Sequence, residues 1–167
     1  MVVSGSGDFV DEQGSSRGIS SEFDRKLIGR LRSLSDVVVT GGNTARVEQY
    51  QQPKHADLAV ITRSPGLFSA FQTLTPPNGV AVTDWCLSRL RELGYERILL
   101  EVGPTLAREF LTRNVVDEFC LTVTSGNLEV AQSAMQSLGS DLHLVKSGAI
   151  EGTLFTVWRR GNNLAIG

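Results

Sequence analysis

Three stretches of this 167-residue chain carry groups that proteins use to bind phosphate, namely glycines, hydroxyls, arginine and a helix start. They are residues 40–46 (TGGNTAR), 62–64 (TRS) and 101–106 (EVGPTL). Each stretch follows an apolar run that predicts a buried β-strand. Because parallel strands end at the same edge of a sheet, the three turns are predicted to share one anionic ligand. Taken singly, the third stretch is equally explained as an ordinary turn, and for the first two an ordinary turn or surface arginine is the commoner explanation.

Two of these turns narrow the class of ligand. Gly103 allows a tight turn and Pro104 suits the first position of a helix, so the free N–H groups of that helix are predicted to face the ligand. Arg63 and Ser64 suit the 2′-phosphate of NADP, where a ribose 2′-hydroxyl would call for an acidic residue. A solvated surface arginine is the alternative explanation of Arg63. The turns do not follow the GxGxxG fingerprint of the standard dinucleotide fold.

The composition argues against several other classes of protein. Apolar residues make up 41% of the chain and charged residues 20%, and the net charge is −2, which is unfavourable for nucleic acid or an anionic membrane as the main partner. The chain starts without the basic and apolar segments of a signal peptide. Cys86 and Cys120 are predicted to be thiols, so we expect a cytoplasmic protein. No clustering of histidine and cysteine predicts a metal site.

The spacing of apolar residues predicts the elements that position these turns. Ser20 or Ser21 is predicted to cap the first helix, Ser21 in a capping box with Asp24, and Pro104 to start another helix. Asp84 is predicted to cap a third helix, and residues 125–139 to form a loop with one helix. Strands are predicted at residues 1–3, 36–40, 58–62, 80–83, 98–100, 118–124, 142–145 and 153–159.

The order of these elements predicts an α/β fold. Strands alternate with helices through the middle of the chain and dominate its end. We therefore expect one domain over residues 1–167, built on a mostly parallel mixed sheet with helices on both faces and an antiparallel pair of C-terminal strands. The chain begins almost inside its first strand, which leaves open whether an upstream part is missing.

Five segments also occur, in this order and spacing, in one known family. They are VVVTGGNTAR at residues 37–46, LAVITRS at 58–64, RILLEVGPTLAREFL at 97–111, VDEFCLTVT at 116–124 and TLFTVWR at 153–159. In them the chain resembles the C-terminal reductase domain of the bifunctional riboflavin-biosynthesis deaminase/reductase, a relative of dihydrofolate reductase. The resemblance implies a three-layer αβα, dihydrofolate-reductase-like fold and a homodimer. It also implies NADPH as cofactor and reduction of a phosphoribosyl-pyrimidine, 5-amino-6-(5-phosphoribosylamino)uracil, to its ribityl form.

The resemblance further implies roles for residues by their position. Substrate contacts come from residues 4–25, with Ser4, Ser20 and Arg25 as the binding residues. The implied cofactor contacts are Gly41, Gly42, Thr44 and Arg46 along the cofactor, Thr62, Arg63 and Ser64 at the adenosine 2′-phosphate, Thr83 near the adenine, and Gly103, Pro104, Thr105 and Leu106 at the diphosphate and nicotinamide ribose.

Two departures from the family pattern fall within the implied site. The family's Ser-Leu-Asp-Gly motif reads SGSG at residues 4–7, so Ser6 replaces the usual aspartate. A proton must reach the ribose oxygen, and a hydroxyl is a poor acid near neutral pH. Ser6 and Asp8 are the candidate catalytic residues, with water, Asp11 or a substrate group as alternative donors. Val102 replaces a glycine, so a branched side chain is expected where the cofactor would pass.

These departures leave three interpretations of function open. The first is an NADPH-dependent reductase of riboflavin biosynthesis with low activity. The second is a reductase of a dihydrofolate or pteridine-type ring. The third is a non-catalytic dimeric NADP-binding homologue that kept the fold.

Overall fold

The computed structural model describes residues 1–161, which form eight strands, five α-helices and one 3₁₀ helix. The helices are α1 (Glu22–Ser33), α2 (Gly42–Val47), α3 (Val82–Glu92), α4 (Pro104–Thr112) and α5 (Leu128–Ser137), with the 3₁₀ helix at Pro65–Phe68. The strands are β1 (Val2–Val3), β2 (Val37–Gly41), β3 (Asp57–Ile61), β4 (Gln72–Leu74), β5 (Ile98–Leu100), β6 (Glu118–Val123), β7 (His143–Ile150) and β8 (Thr153–Arg159).

The strands form two four-stranded sheets, and the chain divides into two compact units. The central unit is the continuous segment Arg25–Ala107. The terminal unit combines Met1–Asp24 with the chain from Arg108 onward. The predicted α/β class, with a parallel sheet and antiparallel C-terminal strands, is confirmed. A single domain over residues 1–167 stays a prediction, and residues 162–167 lie outside the described part of the chain.

The central unit contains a parallel sheet in the order β4-β3-β2-β5. Its middle strand β2 begins with Val37, Val38 and Val39, each with 0% exposure, because β-branched side chains pack well on a pleated surface covered on both faces. Val39 is in register with Ala59 of β3 on one side and Leu100 of β5 on the other. The carboxyl ends of β3, β2 and β5 therefore lie side by side.

A charged pair holds the amino ends of two of these strands together. The guanidinium of Arg97, just before β5, donates to Oδ1 of Asp36, just before β2, with Nε–Oδ1 at 3.0 Å. The backbone N–H of Arg97 donates to Oδ2 at 2.7 Å. These hydrogen bonds lower the pKa of the Asp36 carboxyl to about 2, so the carboxyl stays ionised at neutral pH.

The terminal unit contains a mixed sheet in the order β1-β6-β8-β7. Strand β1 pairs with β6 in parallel, whereas β6 with β8 and β7 with β8 are antiparallel. A buried chain of hydrogen bonds crosses β6 and β8, since Trp158 Nε1 donates to Thr156 Oγ1 and that hydroxyl donates to the Leu121 carbonyl, each at 2.8 Å. Because its indole N–H has a partner, Trp158 can lie in the core at 6% exposure.

Strand β7 is an edge strand with little cover. Seven of its eight residues are exposed, including Val145 at 54% and Ile150 at 46%. The turn to β8 runs through Glu151 (φ 48°) and Gly152 (φ 77°), the left-handed pair that a tight hairpin requires. A register shift between Leu144 and Lys146 interrupts the pairing with β8.

The helix starts follow the predicted signals in two of three cases. Ser21 Oγ accepts from the Asp24 N–H at 3.1 Å at the start of α1, as the capping box predicts, and α4 begins at Pro104. The third prediction, a cap at Asp84, is wrong because α3 begins two residues earlier, at Val82.

The predicted strand at residues 80–83 is also wrong. Val80 N–H closes a turn onto the Pro77 carbonyl, and the following residues enter α3. A run of only four residues, here Val-Ala-Val-Thr, is too short to show the periodicity that separates a strand from a helix start. The strand next to β3 is instead Gln72–Leu74, and the residues after Gly41 form α2 and not only a turn. No helix within residues 1–161 has both the length and the apolar character needed to cross a membrane.

Candidate functional site

The structure brings the three predicted turns together at one edge of the central sheet. They follow β3, β2 and β5, which are adjacent and parallel. A Cβ built on Gly41 would lie 2.9 Å from Leu106 Cδ1, and one on Gly103 would lie 3.3 Å from Thr44 Oγ1. The turn after β2 therefore packs directly against the turn after β5.

Gly42 makes the corresponding contact with the turn after β3. Its built Cβ would lie 3.0 Å from Thr62 Oγ1 and 3.3 Å from Phe68 Cε2. The space at Gly41 and Gly42 is therefore taken by protein atoms. These glycines let neighbouring segments approach each other, and a cofactor contact at their backbone stays a prediction.

We expect Gly42→Val to lower the free energy of unfolding by about 1–3 kcal/mol, the usual cost of adding methyl groups to a filled space. The reason is that Thr62 and Phe68 already occupy the position of a side chain at Gly42. Urea denaturation measures the change. Gly66→Val is the matched control, because a Cβ there meets nothing within 4 Å. An equal loss in both variants would contradict close packing of the turns.

The donors at this edge remain accessible. Arg63 and Ser64 are exposed, and the Ser64 N–H donates to Thr62 Oγ1 at 3.0 Å, which fixes the turn after β3. Arg46 is exposed and donates to Asn43 Oδ1 at 2.9 Å. Helix α4 has no acidic residue in its first turn, and Thr105 there is exposed. Exposed arginines beside an uncharged helix start suit an anionic ligand.

Thr83 does not share this exposure. It lies in the first turn of α3 with 0% exposure, and its Oγ1 has no hydrogen-bond partner within residues 1–161. Thr40, the residue before Gly41, is also 0% exposed, and its Oγ1 likewise has no hydrogen-bond partner within residues 1–161. A hydroxyl at this depth contacts a ligand only after the surrounding side chains move, so Thr83 stays a prediction as a contact of the adenine.

Val102 is buried as well, at 9% exposure. Its backbone follows Glu101, whose N–H donates to the Val39 carbonyl at 2.8 Å and extends the pairing of β5 with β2. Most of the branched side chain is therefore packed against protein. This burial reduces the surface with which Val102 could obstruct a ligand.

The two candidate catalytic residues lie in a hydrogen-bonded turn of the terminal unit. Ser6 Oγ donates to Asp8 Oδ2 at 2.6 Å, and Ser4 Oγ lies 2.8 Å from Ser6 Oγ. The backbone closes the turn through Ser4 N–H to the Asp8 carbonyl at 2.8 Å. Ser6 and Asp8 are exposed. The turn thus holds the Asp8 carboxylate in a hydrogen bond with Ser6, the residue at the position of the family's aspartate.

The remaining substrate candidates belong to different units. Ser20 is in the terminal unit, and its Oγ donates to Asp24 Oδ2 at 2.6 Å. Arg25, on the exposed side of α1, is in the central unit. Asp24 is 2% exposed, so Ser20 serves to pair a buried carboxylate.

The sequence gives no signal for a further polar cluster in the central unit. Arg32 on α1 donates to Glu101 through Nε at 2.8 Å and through Nη2 at 2.5 Å. The Tyr50 hydroxyl donates to Glu101 Oε2 at 2.6 Å. Glu101 opens one of the predicted turns, but no local pattern points from it to Arg32 or Tyr50. Within residues 1–161 no group of three or more His, Cys, Asp or Glu side chains could hold a metal ion.

Comparison with known sequences gives two matches. The profile of the RibD C-terminal domain matches residues 1–150. The chain is also 26% identical over 145 residues to the riboflavin biosynthesis protein PYRR, chloroplastic, of Arabidopsis thaliana, an alignment that covers 66% of this chain and 24% of that protein. The chain thus spans about a quarter of the length of this curated relative.

Solved structures give the same fold at low identity. A pyrimidine reductase-like protein from Corynebacterium diphtheriae has a TM-score of 0.76 at 19% identity, covering 95% of this chain and 88% of that one. A deaminase/reductase from Thermotoga maritima has a TM-score of 0.71 at 15% identity, covering 95% of this chain and 54% of that one. The riboflavin biosynthesis reductase Rib7 of Saccharomyces cerevisiae has a TM-score of 0.63 at 14% identity, covering 95% and 86%. The predicted dihydrofolate-reductase-like fold is confirmed.

Proposed function

The chain belongs to the RibD C-terminal domain family, and from this we propose that it is an NADPH-dependent reductase of riboflavin biosynthesis. The proposed substrate is 5-amino-6-(5-phosphoribosylamino)uracil, which is named for the Thermotoga maritima relative. The proposed product is the ribitylamino compound. We also propose that the protein acts in the cytoplasm as a homodimer, without nucleic acid or membrane as a partner.

One observation carries the proposal, namely the meeting of three turns that each offer donors to phosphate. The turns after β3 and β2 present the exposed side chains of Arg63, Ser64 and Arg46. The turn after β5 adds the start of α4, which has no acidic residue. Several phosphates on one elongated ligand would match this row of donors better than a single phosphate would.

NADPH supplies the hydride for the reduction when it is bound. The proposed work of this chain is to orient the cofactor, to hold the substrate and to deliver one proton to the ribose oxygen. Arg63 and Ser64 would hold the 2′-phosphate, whereas Arg46, Thr105 and the start of α4 would hold the diphosphate. Gly41, Gly42 and Gly103 would act indirectly, by letting the three turns pack together.

The experiment that tests the proposal has two stages. NADPH binding is first measured by quenching of protein fluorescence, since the chain contains two tryptophans. Oxidation of NADPH, followed by absorbance, is then measured with the ribosylaminouracil phosphate. We expect binding and turnover. If the chain binds NADPH but oxidises it only with dihydrofolate or a pteridine, the proposed substrate is wrong. The second interpretation, a reductase of a dihydrofolate or pteridine-type ring, would then hold.

Ser6 favours a second candidate function, a non-catalytic NADP-binding protein. It stands where the resemblance implies a catalytic aspartate, and without that acid a homologue could keep the fold and the cofactor site. NADPH binding without oxidation of NADPH by any of these substrates would support the non-catalytic function.

We expect the protein to have twice the mass of one chain in solution. Strand β7 exposes a free edge together with Val145 and Ile150, and such an edge pairs readily with a second strand. Light scattering at micromolar concentration measures the mass. The double variant Val145→Lys, Ile150→Lys should be monomeric, and Leu67→Lys, at a residue that is 68% exposed on the 3₁₀ helix, is the control. A monomeric parent chain would overturn this proposal.

A further inference from the structure

The cluster of Arg32, Tyr50 and Glu101 ties together three elements of the central unit. Arg32 comes from the end of α1, Tyr50 follows α2, and Glu101 follows β5. The guanidinium binds both carboxylate oxygens of Glu101, and the Tyr50 hydroxyl binds Oε2 at 2.6 Å. The Arg32 Cζ also lies 5.3 Å from the centre of the Tyr50 ring, within cation–π range.

This cluster is partly shielded from water, with the Glu101 carboxylate the better covered of its two charged groups. The side chains of Glu101 and Arg32 are 12% and 33% exposed, and the Tyr50 ring packs against the core cluster that contains Val38, Ala45 and Leu58. Burial, followed by the neighbouring Glu101 charge, raises the pKa of Tyr50, so its hydroxyl remains a donor throughout the neutral range. The hydrogen bond to Glu101 raises the pKa of Arg32. Charge-assisted bonds in such a place are stronger and shorter than neutral ones.

The cluster also lies at the base of two of the donor-bearing turns. Glu101 is the residue before Val102 and Gly103, and its N–H extends β5 along β2. Tyr50 is fixed to α2, since its N–H donates to the Ala45 carbonyl at 3.0 Å. The Tyr50–Glu101 bond therefore links the segment that carries Thr44 and Arg46 to the segment that starts α4.

From this connection we propose that Arg32 and Tyr50 are positioning residues, which act through Glu101 to fix the turn at residues 101–106 against the turn at residues 40–46. The inference rests on the proposed function, because it assumes that the cofactor's diphosphate is held between the donors of these two turns. Neither Arg32 nor Tyr50 needs to touch the cofactor. Their effect is on the spacing of the groups that do.

The key variant is Tyr50→Phe, which removes the hydroxyl and keeps the ring on the core. We expect the dissociation constant of NADPH to rise about 10-fold, because the loosened turn must then be ordered on binding, at a cost near that of the lost hydrogen bond to a charged group. Binding of adenosine 2′-monophosphate should change less than 2-fold, since that compound carries the 2′-phosphate but neither phosphate of the diphosphate and no nicotinamide. A purely structural role would weaken both ligands alike.

Tyr95→Phe is the matched control. The Tyr95 hydroxyl also donates to a carboxylate of the central unit, Asp57 Oδ2 at 2.7 Å, but at the amino ends of the strands. We expect its NADPH dissociation constant to equal that of the parent chain. Arg32→Lys is the second variant, because a lysine keeps the charge and cannot bind both oxygens in the planar geometry of arginine. If Tyr50→Phe does not fold, the affinities of the same two ligands are compared in Arg32→Lys instead.

The outcomes separate the inference from the proposed function. If the parent chain binds NADPH and Tyr50→Phe binds it equally well, the positioning role is overturned and the proposed function stands. If both ligands weaken to the same extent in Tyr50→Phe, the cluster is structural and the inference is again wrong. If the parent chain binds neither NADPH nor adenosine 2′-monophosphate, the proposed function fails and the inference fails with it.

Discussion

Replacing Asp8 with asparagine should lower the turnover of NADPH oxidation by about 10²- to 10⁴-fold, the range over which a positioned acid or base contributes. The expectation rests on the turn at residues 4–8. Ser6 occupies the position of the family's aspartate, and Asp8 places its carboxylate 2.6 Å from the Ser6 hydroxyl. Although Ser6 replaces the family's aspartate, a carboxyl group is still present two residues further along the chain, on Asp8.

Asp8 is a better candidate for the proton donor than Ser6 or Asp11. The Asp8 carboxylate can take up a proton from water and pass it to the ribose oxygen, whereas a serine hydroxyl is a poor acid near neutral pH. The carboxylate of Asp11 is engaged by its own loop, since Oδ1 accepts from the N–H groups of Gln13 and Ser15 at 2.9 Å each. Asp8 has an exposed side chain and a hydroxyl partner that orients it.

Asp11→Asn is the matched control for Asp8→Asn, because it removes the same charge from a nearby exposed loop and keeps the Oδ1 acceptor. We expect its turnover to stay within about 3-fold of the parent value, as for a surface change away from the chemistry. Ser6→Asp should raise turnover by less than the factor of about 10² at which acid catalysis begins to contribute fully. Unchanged turnover in Asp8→Asn, with intact folding and NADPH binding, would assign the proton to water or to the substrate.

Arg63→Ala should remove most of the preference for NADPH over NADH. The guanidinium is exposed at the end of β3, where Ser64 is held by its bond to Thr62. An arginine–phosphate hydrogen bond contributes about 1.5–3 kcal/mol, so the NADPH dissociation constant should rise by about 10- to 150-fold. NADH lacks the 2′-phosphate, and its dissociation constant should hardly change. Fluorescence titration with both cofactors gives the two values.

Arg46→Ala provides the contrast. Its side chain is placed by Asn43 on the turn after β2, where the proposed contact is the diphosphate that both cofactors share. We expect it to weaken NADPH and NADH by similar factors. Equal affinity of the parent chain for the two cofactors would show that Arg63 is an ordinary surface arginine, the alternative that the sequence leaves open.

The sequence predicts well those parts of the fold that depend on local patterns. The β-branched run at residues 37–39 and the alternation predicted over residues 118–124 identify β2 and β6, and Pro104 marks the start of α4. The run at residues 80–83 carries the same kind of residues but lies after a proline-rich turn, and its backbone enters α3. The β-propensity of these residues is too weak to form a strand where the backbone turns into the start of α3.

The sequence predicts the location of the site, because that location depends only on where the strands end. Adjacent parallel strands bring three turns to one edge, which follows from topology alone. The partners of Glu101 are not predictable in this way, because Arg32 and Tyr50 are separated from it by 69 and 51 residues. The role of Gly42 is similarly hidden, since the atoms that require a glycine belong to Thr62 and Phe68 on another segment.

The division of the chain into two units has a consequence for its folding during synthesis. The central unit is one continuous segment, so the ribosome has made all of its strands once residue 107 is added. Strand β1 can pair only after β6 has been made. The Met1 amine donates to the Cys120 carbonyl, 119 residues away, and the Thr122 N–H donates to the Met1 carbonyl. Pairings between such distant residues form slowly. Strand β1 thus leaves the ribosome before the central unit but pairs with β6 only after that unit is complete, so the central unit can fold while β1 is still unpaired.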